Sequence, residues 1–283
     1  MRIIVTGAAG RLGGALKQRL GDHDVIGVDV ADFDVADFAA VRAFVDAAKP
    51  DLLLHCAAWT DVDGCARDPE RAIRINGFGA GNLAQAAARV GAAVLYISSN
   101  EVFDGKAARP YHEYDAAAPV NAYGYSKWIG EQETARATPR HYIVRTSWLF
   151  AHGGRNFIQT IMNAAREGRT LRVVTDEIAC PTYNDDLADA IARLIGTERY
   201  GVYHLVGEGV CSRFEFAQHI LRRSGLTAEI HAIRSAEWDR ASTPPAYTPL
   251  RNLAGAALGI VLPEWRLAVD TFLRREGALV ESP

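Results

Sequence analysis

Tyr123 and Lys127 stand four residues apart in the segment NAYGYSK, residues 121–127. On a helix the two side chains would share one face, about one turn apart. That spacing suits the reduction of a ketone, in which hydride goes to carbon and a proton to the new alkoxide. A free phenol, with a pKa of about 10, is a poor acid–base group at neutral pH. An ammonium beside it, with the positive charge of an oxidised nicotinamide, favours phenolate and brings the phenol toward the working range. Lys127 is further expected to hold the nicotinamide ribose. Ser98 and Ser99 close an apolar run upstream, and Ser99 is the expected hydrogen-bonding partner of the substrate carbonyl. A bare Tyr-x-x-x-Lys also describes an ordinary exposed helix face. Tyr125 has no basic residue at the matching interval.

A hydride donor needs a binding site, and the N-terminus offers one. Gly7, Gly10 and Gly13 form G-A-A-G-R-L-G directly after the apolar run RIIVT. The first glycine permits a tight turn, the second lets backbone approach a pyrophosphate, and the third lets helix pack against strand. The amides at the helix start, around Arg11 and Leu12, then face the phosphates. Asp29 ends the next strand-like run, where a carboxylate would accept hydrogen bonds from ribose hydroxyls and repel a 2′-phosphate. NADH is therefore expected to be mildly favoured. Arg11, contacting a phosphate, is expected to leave NADPH tolerated. Asp34 and Val35 are expected to cover an adenine edge, and the small Ala57 and Ala58 to let backbone approach the cofactor.

The elements that must position these groups alternate. Strand-like runs at 2–6, 24–29, 50–57, 92–98 and 141–145 are separated by helical patterns at 12–20, 37–48, 69–90 and 123–137, with Asp37 the expected N-cap of the second helix. Such alternation predicts a Rossmann-type α/β fold with a doubly wound parallel sheet. Beyond 145 the pattern loosens into helices at 156–166, 185–194 and 213–223 and a proline-rich loop at 238–249. The expectation is a cofactor-binding domain over 1–150, with later segments able to return to it, and a smaller, mainly substrate-binding lobe over 151–283.

Composition narrows the partners. The 283 residues carry a net charge of −3, which argues against a nucleic-acid surface. No stretch is long enough to span a bilayer, and MRIIVTGAAG breaks too early for a signal peptide. Cys56, Cys65, Cys180 and Cys211 show no metal-ligand spacing. Without an export signal they suggest a cytoplasmic protein with free thiols.

The glycine loop, the acid after the second strand, the serine after the fourth and the Tyr/Lys helix resemble an extended short-chain dehydrogenase. Further segments resemble the dTDP-4-dehydrorhamnose reductase family over essentially the whole chain: KPDLLLHCAAWTDVDGCA, YISSNEVFDG, VNAYGYSK, VRTSWLF, DEIACPTYNDDLADAI and GVYHLVGEGVCSRFEFA. The resemblance implies NAD(P)H-dependent reduction of the 4-keto group of a nucleotide-activated deoxysugar, dTDP-4-dehydro-L-rhamnose to dTDP-L-rhamnose. By that match Ser99, Tyr123 and Lys127 are catalytic, and Ala57, Ala58 and Thr60 line the cofactor. Val62 and Trp148 lie near the sugar, and Arg240 meets the diphosphate. The family usually has threonine at the Ser99 position and Asp-Tyr where this chain has Asn100-Glu101. The pair is expected to shape sugar recognition. Some relatives bind magnesium through glutamates at a dimer interface; Ala15 stands where one such glutamate is expected, so no metal is predicted. A homodimer is one assembly the resemblance allows. Two alternatives stay open: a non-catalytic NAD(P)-binding regulatory subunit, and an epimerase or dehydratase of the superfamily. Dehydratases usually carry acid residues beside the catalytic threonine or serine.

Overall fold

The computed structural model describes residues 1–154 and 156–280; the sequence-expected lobe boundary at 283 lies outside them. The chain opens with β1 (Arg2–Thr6), α1 (Arg11–Arg19), β2 (Asp24–Val28), α2 (Phe38–Ala48), β3 (Leu52–His55), α3 (Val62–Arg67) and α4 (Pro69–Ala72). It continues through α5 (Gly79–Arg89), β4 (Ala93–Ser99), α6 (Ala122–Ala137), β5 (His141–Thr146), β6 (Leu149–Phe150), α7 (Phe157–Arg166) and β7 (Leu171–Val174). Then come β8 (Ile178–Ala179), β9 (Thr182–Tyr183), α8 (Asn184–Ile195), β10 (Gly201–His204), β11 (Cys211–Ser212), α9 (Arg213–Ser224), β12 (Ile230–Ile233), α10 (Ala254–Ala257) and α11 (Trp265–Arg275).

Six strands form one parallel sheet in the order β10-β5-β4-β3-β1-β2. The chain runs from β1 to β2 on one side and then crosses to β3 on the other. That reversal opens a crevice at the carboxyl ends of β1 and β3, where open α/β sheets bind ligands. Both faces of the sheet are covered, so the strands read as continuous apolar runs. Ile3, Val5, Leu52 and Leu54 pack with Leu16 of α1 and with Leu187, Ile191 and Leu194 of α8. Their neighbours Ile4, Leu53 and Val94 point the other way, against Val41 and Val45 of α2 and Leu83 and Ala87 of α5. The fold is of the Rossmann type, as the alternation predicts.

A second apolar cluster joins Ile158 and Met162 of α7, Phe216 and Ile220 of α9, and Trp265, Val269 and Phe272 of α11. Short strand pairs, β7 with β12, β8 with β11 and β6 with β9, lace its segments together. The chain nonetheless returns to the main sheet after residue 150, because α8 covers it and β10 supplies its sixth strand. Periodicity did not disclose β10 or α11. The 69–90 pattern is also not one regular helix: α4 and α5 are joined by a π-helical stretch, Ile73–Phe78. Among the described residues no helix is long and apolar enough to cross a membrane.

Candidate active site

The glycine loop is built by close contacts. Gly7 takes φ 67°, and a Cβ there would meet the Ala57 backbone nitrogen at 2.8 Å. A Cβ on Gly13 would stand 2.2 Å from the Gly7 carbonyl oxygen, so α1 could not approach β1. Gly10 caps α1 with no side-chain hydrogen bond, which leaves the first amides facing the crevice. Asp29, just past β2, accepts from the Ala9 and Val30 amides at 2.9 and 3.0 Å. It therefore steadies the loop as well as facing the crevice.

These residues line a compartment of about 370 Å³ that includes Gly7, Gly10, Asp29, Asp34, Val35, Ala57 and Ala58. Phe33, Trp59, Arg71 and Ile75 are among the others that line it, and sequence reasoning missed all four. The Arg71 guanidinium carbon lies 4.6 Å from the centre of the Trp59 ring. Arg11, Leu12, Gly13 and Thr60 instead line an adjoining compartment of about 480 Å³. Arg11 thus lies outside the compartment that Asp29 lines, next to Gly154, where a Cβ would stand 2.9 Å from its guanidinium. The cation that shares a compartment with Asp29 is Arg71. The spaces fit an extended dinucleotide laid across the loop: the cradle is one that any Cβ at Gly7 or Gly13 would fill.

The second compartment also gathers Val62, Ser99, Asn100, Glu101, Tyr123, Lys127 and Trp148. Asn121 caps α6 by accepting from the Gly124 amide at 2.8 Å. Gly124 is required, since a Cβ there would lie 2.0 Å from the Glu101 carbonyl oxygen. The helix start thereby presses against the turn that follows Ser99. The Ser99 hydroxyl accepts from the Glu101 amide at 3.2 Å and is hydrogen-bonded to Tyr123. Burial raises the Tyr123 phenol well above its ordinary value, Glu101 adds to this, and the Ser99 hydrogen bond opposes it. The phenol is therefore held protonated by its protein surroundings; the lowering expected from the Tyr/Lys spacing also counted on the positive charge of an oxidised nicotinamide. Lys127 is buried and its ammonium lies 4.2 Å from the centre of the Tyr96 ring. Burial pushes it down to about 7, against the pull of the Glu131 carboxylate.

A buried scaffold fixes this geometry. Glu131, one turn past Lys127 on α6, accepts from Ser98 at 2.5 Å and from Arg145 at 2.8 and 2.7 Å. It ties the helix of Tyr123 and Lys127 to the end of the strand that carries Ser99. Asn76, in the π-helical stretch, accepts from the Trp59 amide at 2.8 Å and donates to the Trp59 carbonyl and Ser126 hydroxyl, both at 3.0 Å. Wide helical turns of this kind often sit at functional sites. The sequence signal for this scaffold was only Arg145, a charged residue inside the strand run HYIVR; Glu131 sits among polar neighbours in GEQET and does not stand out.

A third, smaller recess holds Val62, Asn100, Glu101, Trp148 and Arg240 with Glu177, Arg213 and Thr248. Asn100 and Glu101 both face it. Asn100 is buried and donates to the Thr248 hydroxyl at 2.6 Å. Glu101 Oε2 accepts from Asn121 at 2.7 Å. Trp148 holds a left-handed φ of 42°, a strained conformation for a bulky residue. The Arg213 guanidinium carbon lies 3.6 Å from the centre of its ring, so part of the indole face is already covered. Arg240 is held by Asp63 at 3.2 Å and Glu177 at 3.8 Å. Sequence reasoning missed Glu177, Arg213 and Thr248 here; Arg213 opens α9 inside the segment GVYHLVGEGVCSRFEFA.

Residues 1–277 match the family model described as RmlD substrate binding domain. The chain belongs to the dTDP-4-dehydrorhamnose reductase family. It is 37% identical to the spore coat polysaccharide biosynthesis protein SpsK of Bacillus subtilis, with 98% of each chain covered. It is 36% identical to the dTDP-4-dehydrorhamnose reductase of Mycolicibacterium smegmatis, covering all of this chain and 88% of that one. Among solved structures, the dTDP-4-dehydrorhamnose reductase of Clostridium acetobutylicum superposes with a TM-score of 0.95 at 36% identity, covering 98% of this chain and 100% of that one. The Bacillus anthracis reductase, solved in complex with NADP, gives 0.94 at 35% identity, covering 97% and 99%. A Thermus thermophilus UDP-glucose 4-epimerase complexed with NAD, at 19% identity and a TM-score of 0.79, shares the fold.

Proposed function

We propose that this protein is an NAD(P)H-dependent reductase of the 4-keto group of a nucleotide-activated 6-deoxy sugar, with dTDP-4-dehydro-L-rhamnose as substrate and dTDP-L-rhamnose as product. The observation that carries the reading is the convergence of Ser99, Tyr123 and Lys127 on one compartment that opens onto the glycine loop. Full-length similarity to dTDP-4-dehydrorhamnose reductases supplies the substrate class.

The Gly7–Gly13 loop and the α1 amides hold the pyrophosphate, Asp29 and Arg71 flank the adenosine ribose, and Lys127 holds the nicotinamide ribose. The bound reduced nicotinamide supplies the hydride. Ser99 and Tyr123 donate hydrogen bonds to the substrate ketone oxygen, which polarises the carbonyl and fixes the face it presents. As the oxygen gains negative charge, the Tyr123 phenol gives up its proton to it. A phenol held protonated by burial is in the correct state for that step. Asn100, Glu101 and Trp148 border the sugar, with Arg213 and Arg240 supplying positive charge for the diphosphate. Asp29 mildly favours NADH, and Arg71 leaves NADPH usable. A cytoplasmic setting suits the four free cysteines.

The test is to incubate the protein with NADH or NADPH and a panel of nucleotide-linked 4-keto-6-deoxy sugars, following cofactor oxidation and identifying the product by NMR. A 4-hydroxy sugar nucleotide formed in step with cofactor oxidation is the expected result. A protein that binds cofactor but turns over no keto sugar would be a binding subunit instead.

A further inference from the structure

Ketone reduction at this site assigns Glu101 no part in hydride or proton transfer, only a place beside the sugar. Glu101 lines the compartment of Ser99, Tyr123 and Lys127, and its carboxylate is near enough to Tyr123 to raise the phenol. Its backbone is fixed on both sides, with the amide donating to Ser99 Oγ at 3.2 Å and the carbonyl packed against Gly124 of α6. Asn121 engages Oε2 at 2.7 Å, while among the described residues no hydrogen bond engages Oε1. The cations that face it are engaged elsewhere, Arg240 with Asp63 and Arg213 stacked on Trp148. An anion here opposes reduction, since negative charge grows on the neighbouring ketone oxygen in the transition state.

The same placement favours a different step. A carbon next to a ketone gives up its proton readily when the carbonyl oxygen is held by donors, which Ser99 and Tyr123 provide. Resting on the proposed keto-sugar substrate, we infer that Glu101 is a general base for the carbon next to the ketone, giving the protein keto–enol isomerising activity beside its reductase activity. Burial lifts the Glu101 carboxyl above the usual carboxylate range, which makes its ionised form a stronger base.

The step is redox-neutral. The Glu101 carboxylate takes the proton from carbon, and the C–H electron pair becomes the C=C bond of an enol. The carbonyl π pair moves to oxygen, which accepts the Tyr123 proton. Reversal returns a proton from the Glu101 carboxylic acid to carbon and one from the enol oxygen to Tyr123. Since the carboxylic acid exchanges with water between the two halves, the substrate acquires solvent hydrogen at that carbon.

The experiment places the protein with a dTDP-4-keto-6-deoxy sugar and NADP⁺, so that no hydride is available, in deuterium oxide. Deuterium at the carbons flanking the ketone is read by NMR and mass spectrometry. Parallel samples receive NADPH and are scored for reduction. Wild type is expected to exchange well above buffer alone. Glu101→Gln should lose about 10²-fold or more of that rate, and Glu101→Asp, with a shorter carboxylate, should keep part of it. Retained NADP⁺ binding shows each variant to be folded; if Glu101→Gln fails this check, Glu101→Asp against wild type decides. Reduction without exchange, or exchange unaltered in the folded variants, overturns this inference and leaves the proposed reduction standing. Exchange lost in the variants with no reduction by wild type upholds it and overturns the reductase reading.

Discussion

Arg145 grips both carboxylate oxygens of Glu131, at 2.8 and 2.7 Å, in surroundings where both side chains are almost wholly buried. The pair lies one helical turn behind Lys127 and one residue behind Ser99, so it determines how the acid–base helix meets the carbonyl-binding strand. Removing one partner of a buried pair leaves the other charge uncompensated and costs about 3–5 kcal/mol.

Glu131→Gln should therefore lower stability by about that amount and change the pH profile. Burial pushes the Lys127 ammonium down to about 7, so it is charged below and neutral above that value. Glu131 is the main influence holding it up. In wild type, kcat/KM should fall as pH rises through about 7, and in Glu131→Gln the fall should begin at lower pH. Initial rates across a pH series, with stability followed by thermal unfolding, test this. A destabilised variant with an unshifted profile would restrict Glu131 to a structural role.

Tyr123→Phe should reduce kcat by about 10²–10⁴-fold, the usual worth of a general acid. The ring that packs at the start of α6 is kept, so cofactor affinity should stay near wild type. Steady-state kinetics beside a fluorescence titration with NADPH separate the two. Near wild-type turnover would remove Tyr123 from the mechanism.

Cofactor choice should respond to Asp29 and Arg71 in opposite directions. Asp29→Ala should move the kcat/KM ratio toward NADPH, and Arg71→Ala toward NADH, each by about tenfold, as expected for a charge-assisted hydrogen bond of about 1.5–3 kcal/mol partly exposed to water. Asp29→Ala also removes the acceptor of the Ala9 amide, so KM should rise for both cofactors. Competition between NADH and NADPH is the direct measurement, and a ratio insensitive to both substitutions would place the adenosine ribose elsewhere.

Replacing Asn100-Glu101 by Asp-Tyr should alter KM among keto sugars more than the kcat of the best one. Both residues face the recess beside Trp148, while neither donates to the ketone oxygen in the proposed mechanism. Asn100 also donates to Thr248, which ties this turn to the late proline-rich loop. Kinetics on dTDP-4-keto-6-deoxy sugars and a hydroxyl-deleted analogue report the selectivity. A uniform collapse of kcat would show that the pair takes part in reduction itself.

The sequence by itself determined what short spacing can encode. Gly7, Gly10 and Gly13 mark a strand–turn–helix because a Cβ at the first and third positions would collide with neighbouring backbone. Tyr123 and Lys127 share a helix face because four residues make one turn. Asp37 at the start of α2 and Ser99 at the end of β4 were legible for the same local reasons. Tertiary structure decided the rest. Arg71 stacks on Trp59 and shares a compartment with Asp29 only after β3 is laid beside β1, whereas Arg11 lines the adjoining one. Arg213 covers Trp148 only when α9 docks against the turn after β5. Glu131 reads from sequence as one more charged residue on a helix, and its pairing with Arg145 and Ser98 depends on α6 lying across β4 and β5. Burial, which raises the Tyr123 phenol and lowers the Lys127 ammonium, is a property of everything packed around them and leaves no mark in the spacing of either residue.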